Sequence, residues 1–201
     1  MTGAAEVLSV AELRAFEERV KVAFLAGEIH APVHLSGGNE KEVLEIFKEV
    51  ADDDWVFSTW RNHYHALLKG IPPDDLYRAI LNGRSMYINS KAHKFLTSSI
   101  VGGVLPIALG VALGAKRLKL DERVWVFIGD MAARTGIARE FMDYARGHEL
   151  AVSIVVEDNG LSTNTPTMEV WGRGHRGPHH HYYKYERSVP HVGVGQWVTF
   201  G

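Results

Sequence analysis

Between positions 120 and 160 the hydrophobic pattern changes period twice. Val124-Trp125-Val126-Phe127-Ile128 is an unbroken apolar run rich in β-branched and aromatic residues, and it stops at Gly129-Asp130. Such a run predicts a strand covered on both faces. From Arg134 to His148 the apolar positions Ile137, Phe141, Tyr144 and Ala145 recur at helical spacing, with Arg146 and His148 near the end. A second buried strand is predicted over Ala151 to Glu157, ending at Asp158-Asn159. This is a βαβ unit, whose two strands run parallel. Asp130 and Asn159 then both follow the carboxyl end of a strand, on the sheet edge where open α/β folds bind ligands.

The rest of the chain fits a helix-covered sheet. Ser9-Val10-Ala11-Glu12 is a capping box, and Leu13, Phe16, Val20 and Phe24 continue it as a helical stripe to Gly27. That stripe faces a core or a neighbouring subunit. His30 to Asn39 reads as a loop carrying Ser36-Gly37-Gly38, and Glu40 to about Ala51 as a helix with Val43, Leu44 and Phe47 on one face. Pro72-Pro73-Asp74-Asp75 opens a short helix with Asp74 at its N-cap, closed by Asn82-Gly83. Gly83 to Thr97 reads as a polar loop, and residues 104–115 as a buried helix of small residues. The expected fold is α/β: one domain with a central, mostly parallel sheet and helices on both faces. It divides into an N-terminal helical segment (1–35), a ligand-binding domain (36–172) and a Gly-, His- and Tyr-rich C-terminal segment (173–201).

Composition narrows the function. The 201 residues carry a formal net charge of −2, which gives no basic footprint for nucleic acid or an anionic membrane. Cysteine is absent, so disulfides, thiolate nucleophiles and Cys zinc sites are excluded. No apolar run approaches a membrane span and no signal peptide is visible, so the expected location is cytoplasmic.

Asp130 offers a carboxylate and Asn159 an amide oxygen, half of a site for a hard cation. Mg²⁺ takes one or two protein ligands and completes its octahedron with phosphate oxygens and water. A helix amino end pointing at the same place favours an anion. Taken alone, Gly-Asp and Asp-Asn-Gly also read as turns that close two strands.

Three stretches resemble one family. Gly129-Asp130, Gly136, Glu140, Ala145, Leu150 and Asp158-Asn159 follow the order and spacing of the thiamine-diphosphate motif of transketolases and 2-oxo acid dehydrogenase E1 α subunits. Trp55 to Gly70 resembles the E1 α segment Phe-Ser-Thr-Tyr-Arg-x-His-x-His-Ala-Leu-x-x-Gly, and Ser98 to Ala112 resembles its Gly-Ile-Val-Gly segment and following helix. Ser36-Gly38-Glu40 and Ser85-Met86 are weaker matches to the same family, and Ser162 to Gly172 looks more like a transketolase.

The resemblance implies a thiamine-diphosphate-binding fold in which Asp130, Asn159 and the Leu161 carbonyl hold Mg²⁺. It implies that Arg61 grips the diphosphate, and that the backbone around Ser99 and Val101 bonds the aminopyrimidine. His63 and His65, on one face if extended, would reach the reactive centre; a buried or surface histidine pair is the alternative. Met131, Trp60 and Ser99 stand where the family has Gly, Tyr and Gly. Glu140 belongs to the diphosphate motif and is not the glutamate that activates the cofactor ring.

The resemblance further implies a second, E1 β-like or transketolase C-terminal-like chain, because 201 residues spent on the diphosphate half leave no room for the other half. An α₂β₂ assembly follows, although the longer carboxyl-terminal extension of ordinary E1 α subunits is not seen here. Three functions remain open. One is the α subunit of a split E1-like enzyme that cleaves a 2-oxo acid or ketose and hands the fragment to a lipoyl or carrier-protein acceptor. Another is the N-terminal half of a split transketolase. The third is a non-catalytic scaffold.

Three other features carry weaker signals. Asp52-Asp53-Asp54 reads as a solvated turn, since three adjacent residues cannot all face one ion. His179-His180-His181 reads as a solvated or partner-facing loop, with metal binding as the alternative. Gly193-Val194-Gly195 lacks the strand–helix context of a dinucleotide fingerprint.

Overall fold

The computed structural model describes residues 8–174 and 176–191. Gly193-Val194-Gly195 lies outside the described residues. In chain order the elements are α1 (Val10–Leu25), α2 (Glu40–Phe47), β1 (Trp55–Ser58), α3 (His63–Leu68), α4 (Pro73–Leu81), β2 (Asn89–Ser90), β3 (Phe95–Thr97), α5 (Val104–Leu118), β4 (Val124–Gly129), α6 (Asp130–Ala133), α7 (Gly136–Gly147), β5 (Val152–Asp158), β6 (Leu161–Ser162), β7 (Thr165–Pro166), α8 (Thr167–Trp171) and β8 (His181–Lys184).

The main sheet has the order β2-β3-β1-β4-β5-β8. Every pairing in it is parallel except β2 with β3. Register runs from Val124 opposite Val152 to Gly129 opposite Glu157 at the centre of the sheet. Side chains alternate between two cores. Val56, Trp125, Phe127 and Val155 face α1 to α4, whereas Phe57, Val126, Ile128, Ile154 and Val156 face α5 to α7. Cover on both faces is what makes these strands read as continuous apolar runs instead of alternating ones. Among the described residues no helix is long and apolar enough to cross a membrane.

α1 forms where its capping box predicts it, with Ser9 and Glu12 bonded reciprocally. Its stripe packs into the core, and buried Glu17 accepts the backbone N–H of Ser36 and Gly37 at 2.8 and 3.2 Å. α1 thereby pins the loop that enters the ligand edge.

Several expectations are corrected. α2 ends at Phe47, before Ala51. Pro72, not Asp74, caps α4; Asp74 sits in the first turn and pairs with Arg19. The stretch 83–97 is not all loop: Phe95–Thr97 forms β3 beside β1, a strand too short to announce itself before β1 is there to pair with it. The chain leaves β4 through the short α6, and α7 begins only at Gly136. His63 and His65 lie on a helix, α3, not on extended chain. The histidine run is not a loop throughout, because His181–Lys184 pairs with the otherwise open edge of β5. His180 continues the ladder with its side chain, its Nδ1 accepting Ile154 N–H at 3.0 Å.

The acidic run also divides. Asp52 and Asp53 are exposed, but Asp54 is buried and accepts the backbone N–H of Ala51 and Arg123 and the indole N–H of Trp125. It ties the loop before β1 to the start of β4. Replacing Asp54 by Asn turns an NH₂ toward donors that need an acceptor. Urea unfolding of that variant should show a loss of about 1–2 kcal/mol.

Candidate functional site

A cleft opens at the carboxyl ends of the parallel strands. Its lining comes from the turns after the parallel strands in sheet order: Val101 and Gly102 after β3, Thr59 to Arg61 after β1, Asp130 to Ala132 after β4, Asn159 and Leu161 to Thr163 after β5, and Tyr185 after β8. β1 leads on through α3 and α4 on one face of the sheet, and β4 leads on through α7 on the other. The sheet therefore has a switch point between β1 and β4, which is where open α/β sheets form binding crevices.

Trp60, Arg61, Val101, Gly129, Asp130, Met131, Asn159 and Leu161, all named from the sequence, line this cleft together. Asp130 is buried, and neither carboxylate oxygen has a hydrogen-bond partner among the described residues. Burial, and then the neighbouring Asp158 carboxylate, push its pKa above the ordinary value, against the Thr167 hydroxyl and the backbone N–H groups of Asp130 and Met131, which lie near it and favour the charge without reaching hydrogen-bond geometry. Asn159 Oδ1 accepts Leu161 N–H at 3.0 Å, and its Nδ2 donates to the Tyr185 hydroxyl at 3.0 Å. Arg61 donates from Nη1 to the Leu35 carbonyl at 2.6 Å and from Nη2 to His191 Nδ1 at 2.9 Å. Met131, where the motif has Gly, accepts the Trp171 indole N–H on its sulfur at 2.9 Å. Ser99 is exposed and does not line the cleft, although Val101 two residues on does.

His63 and His65 are not on the cleft wall. Both are buried: His63 Nε2 faces Ser85 Oγ at 2.9 Å and its Nδ1 lies 3.4 Å from Glu17. His65 Nδ1 faces Ser58 Oγ at 2.8 Å, and its Nε2 lies 3.2 Å from Glu157 Oε1. His65 reaches the cleft only through Glu157, which lines it.

Sequence reasoning missed Glu157, Tyr185, His34 and His191 as parts of this region. Glu157 was legible as a lone charge at the end of a buried strand. The other three carry no local signal. His34 is stacked on His191 with ring centroids 4.4 Å apart, and burial together with His191 and Arg61 pushes its pKa down to about 3. His191 is pushed down to about 4 by burial, Arg61 and Arg187. Both imidazoles are therefore neutral beside the guanidinium.

Residues 9–171 match the family model described as dehydrogenase E1 component. The chain belongs to the dehydrogenase E1 component family. It is 32% identical over 163 residues to the α subunit of acetoin:2,6-dichlorophenolindophenol oxidoreductase from Cupriavidus necator, an alignment covering 76% of this chain and 49% of that protein. The protein of the same name from Bacillus subtilis is 32% identical over 165 residues, covering 77% of this chain and 50% of the relative. The chloroplastic pyruvate dehydrogenase E1 component subunit α-3 of Arabidopsis thaliana is 29% identical over 183 residues, covering 80% and 43%. The chain thus spans about half the length of the curated relatives it matches.

The cleft of this E1-family chain fits a divalent cation with a diphosphate. A buried carboxylate without a donor is costly unless a cation or a proton meets it, and Asp130 is such a group. Asn159 Oδ1 keeps a second lone pair, and Arg61 keeps further N–H groups beyond the two already donated. Among the described residues no three His, Asp or Glu side chains gather as a metal cage, at the histidine run or elsewhere. A site of one carboxylate and one amide that leaves the remaining positions to phosphate and water suits Mg²⁺.

Proposed function

We propose that this chain is the thiamine-diphosphate- and Mg²⁺-binding α subunit of an E1-like enzyme that cleaves a C–C bond next to a carbonyl and transfers the fragment to an acceptor. The observation that carries the reading is Asp130: a buried carboxylate without a hydrogen-bond partner among the described residues, in the same cleft as Asn159 and Arg61. Asp130, Asn159 and the Leu161 carbonyl would hold the metal, and Arg61 the diphosphate, by a charge-assisted bond that its planar fork suits. When bound, thiamine diphosphate supplies an electron sink for the carbanion formed at the cleaved carbonyl. The chain's own residues would position that cofactor and neutralise its tail. The neutral His34 and His191 leave the positive charge of Arg61 undiluted by a bonded carboxylate.

Family membership favours this reading over the transketolase alternative. The relatives' names point to small carbonyl donors, acetoin and pyruvate, and both are compatible with cleavage beside a carbonyl. A β-like partner would supply the remaining half of the active site in an α₂β₂ assembly.

Calorimetric titration of Mg²⁺ and thiamine diphosphate onto the full chain, alone and with its β-like partner, tests the proposal. Binding that requires both ligands is expected. Arg61→Gln should weaken cofactor affinity by about tenfold, the scale of one lost charge-assisted bond. Absence of binding with and without the partner would favour the scaffold.

A further inference from the structure

The segment after β8 bonds two of the residues assigned to the cofactor. Tyr185 accepts the Nδ2–H of Asn159, and His191 accepts the Nη2–H of Arg61. We propose that residues 185–191 form a brace, in which Tyr185 and His191 are positioning residues that fix the carboxamide of Asn159 and the guanidinium of Arg61. This inference rests on the cofactor assignment above.

A metal would take the Asn159 oxygen, and Tyr185 holds the nitrogen. A flipped amide would turn its NH₂ onto Leu161 N–H and lose that bond, and Tyr185 holds the other end of the carboxamide in place. For Arg61, Leu35 O and His191 Nδ1 take one N–H from each Nη, which orients the plane of the fork and leaves its other donors to an anion. His191 can accept only as neutral imidazole, and it stacks, half-buried, on buried His34. Outer partners of this kind set ligand rotamers, and their loss typically lowers metal affinity by about 10–100-fold.

The brace is built into the fold. Tyr185 N–H bonds the Asp158 carbonyl at 3.0 Å, next to Asn159, and Ser188 N–H bonds the Gly37 carbonyl at 3.1 Å. Gly38 has φ 108°, and a Cβ there would lie 2.1 Å from the Glu186 carbonyl oxygen. The Ser36-Gly37-Gly38 turn therefore receives this segment with no space for a side chain.

The test compares Tyr185→Phe, His191→Ala and His191→Asn in the full chain, with its partner where binding requires it. Tyr185→Phe keeps the ring and removes the acceptor. Mg²⁺ titration in the presence of thiamine diphosphate should show affinity lowered about tenfold or more, with the melting temperature of the cofactor-free protein unchanged. In cofactor-free protein, the Asn159 side-chain NH₂ resonances should shift in Tyr185→Phe. His191→Ala should weaken thiamine diphosphate binding, and His191→Asn, whose side-chain oxygen can accept from Arg61, should restore most of it.

Wild-type binding that Tyr185→Phe leaves unaltered or tightens overturns the brace alone, and so does an equal loss in both His191 variants. A wild-type protein that takes up neither Mg²⁺ nor cofactor overturns the function and the brace with it.

Discussion

Asp130→Asn should raise the thermal stability of the cofactor-free protein while reducing Mg²⁺-dependent binding of thiamine diphosphate by about 100-fold or more. The two effects share one cause. A buried carboxylate whose donors do not reach it is a desolvation cost to the fold, and among the described residues neither Asp130 oxygen makes a hydrogen bond. The near-isosteric amide removes the charge but not the volume. It removes the burial cost of the charge and its repulsion with Asp158, which should show as a rise of a few degrees in Tm for a chain of this size. For binding the same exchange is severe on the proposed site, where Asp130 would be the one anionic protein ligand of the cation. Differential scanning fluorimetry without cofactor and calorimetry with it read the two arms separately. A variant that melts lower would show that the carboxylate has a structural partner and is not held open for a cation. A variant that binds as wild type would remove Asp130 from the metal site.

Whether an element could be read from the sequence tracks how much of its physics is local. β4, α7 and β5 were legible because cover on both faces leaves unbroken apolar runs, and because an amphipathic helix between them has its own period. The placement of Asp130 and Asn159 at one edge followed from parallel strands alone, and the register of Gly129 opposite Glu157 agrees with it. β3 and β8 were not legible. Each is a few residues long, and each becomes a strand only because β1 or β5 offers an unpaired edge. Tyr185 and His191 were missed for the same reason: their partners, Asn159 and Arg61, lie far away in the chain. Asp54 was read as solvated because nothing nearby reveals the Trp125 indole that it binds. The family resemblance carried the site residues further than periodicity could, but it gave no account of what stands behind them.

His65 separates a role in the chemistry from a role in the scaffold, and the structure points to a large effect on stability. The residue is 1% exposed. Its ring lies 4.3 Å from that of Phe127 and 6.0 Å from that of Phe47, between Ser58 and Glu157. Glu157 Oε1 also accepts from Asn39 Nδ2 and the Tyr183 hydroxyl, so His65 completes the shell of a buried carboxylate. His65→Ala removes a donor from that carboxylate, strands the Ser58 hydroxyl and opens a cavity against two aromatic rings. The expected loss in urea unfolding is about 3–5 kcal/mol, from the broken buried network and the cavity together. Glu157→Gln should cost less alone, because an amide oxygen still accepts. Combined with His65→Ala it should cost less than the sum, since the two groups share one bond. Because Glu157 also lines the cleft, cofactor affinity should fall along with stability. A His65→Ala protein that unfolds at the wild-type urea concentration yet loses turnover would place the imidazole at the reacting atoms instead.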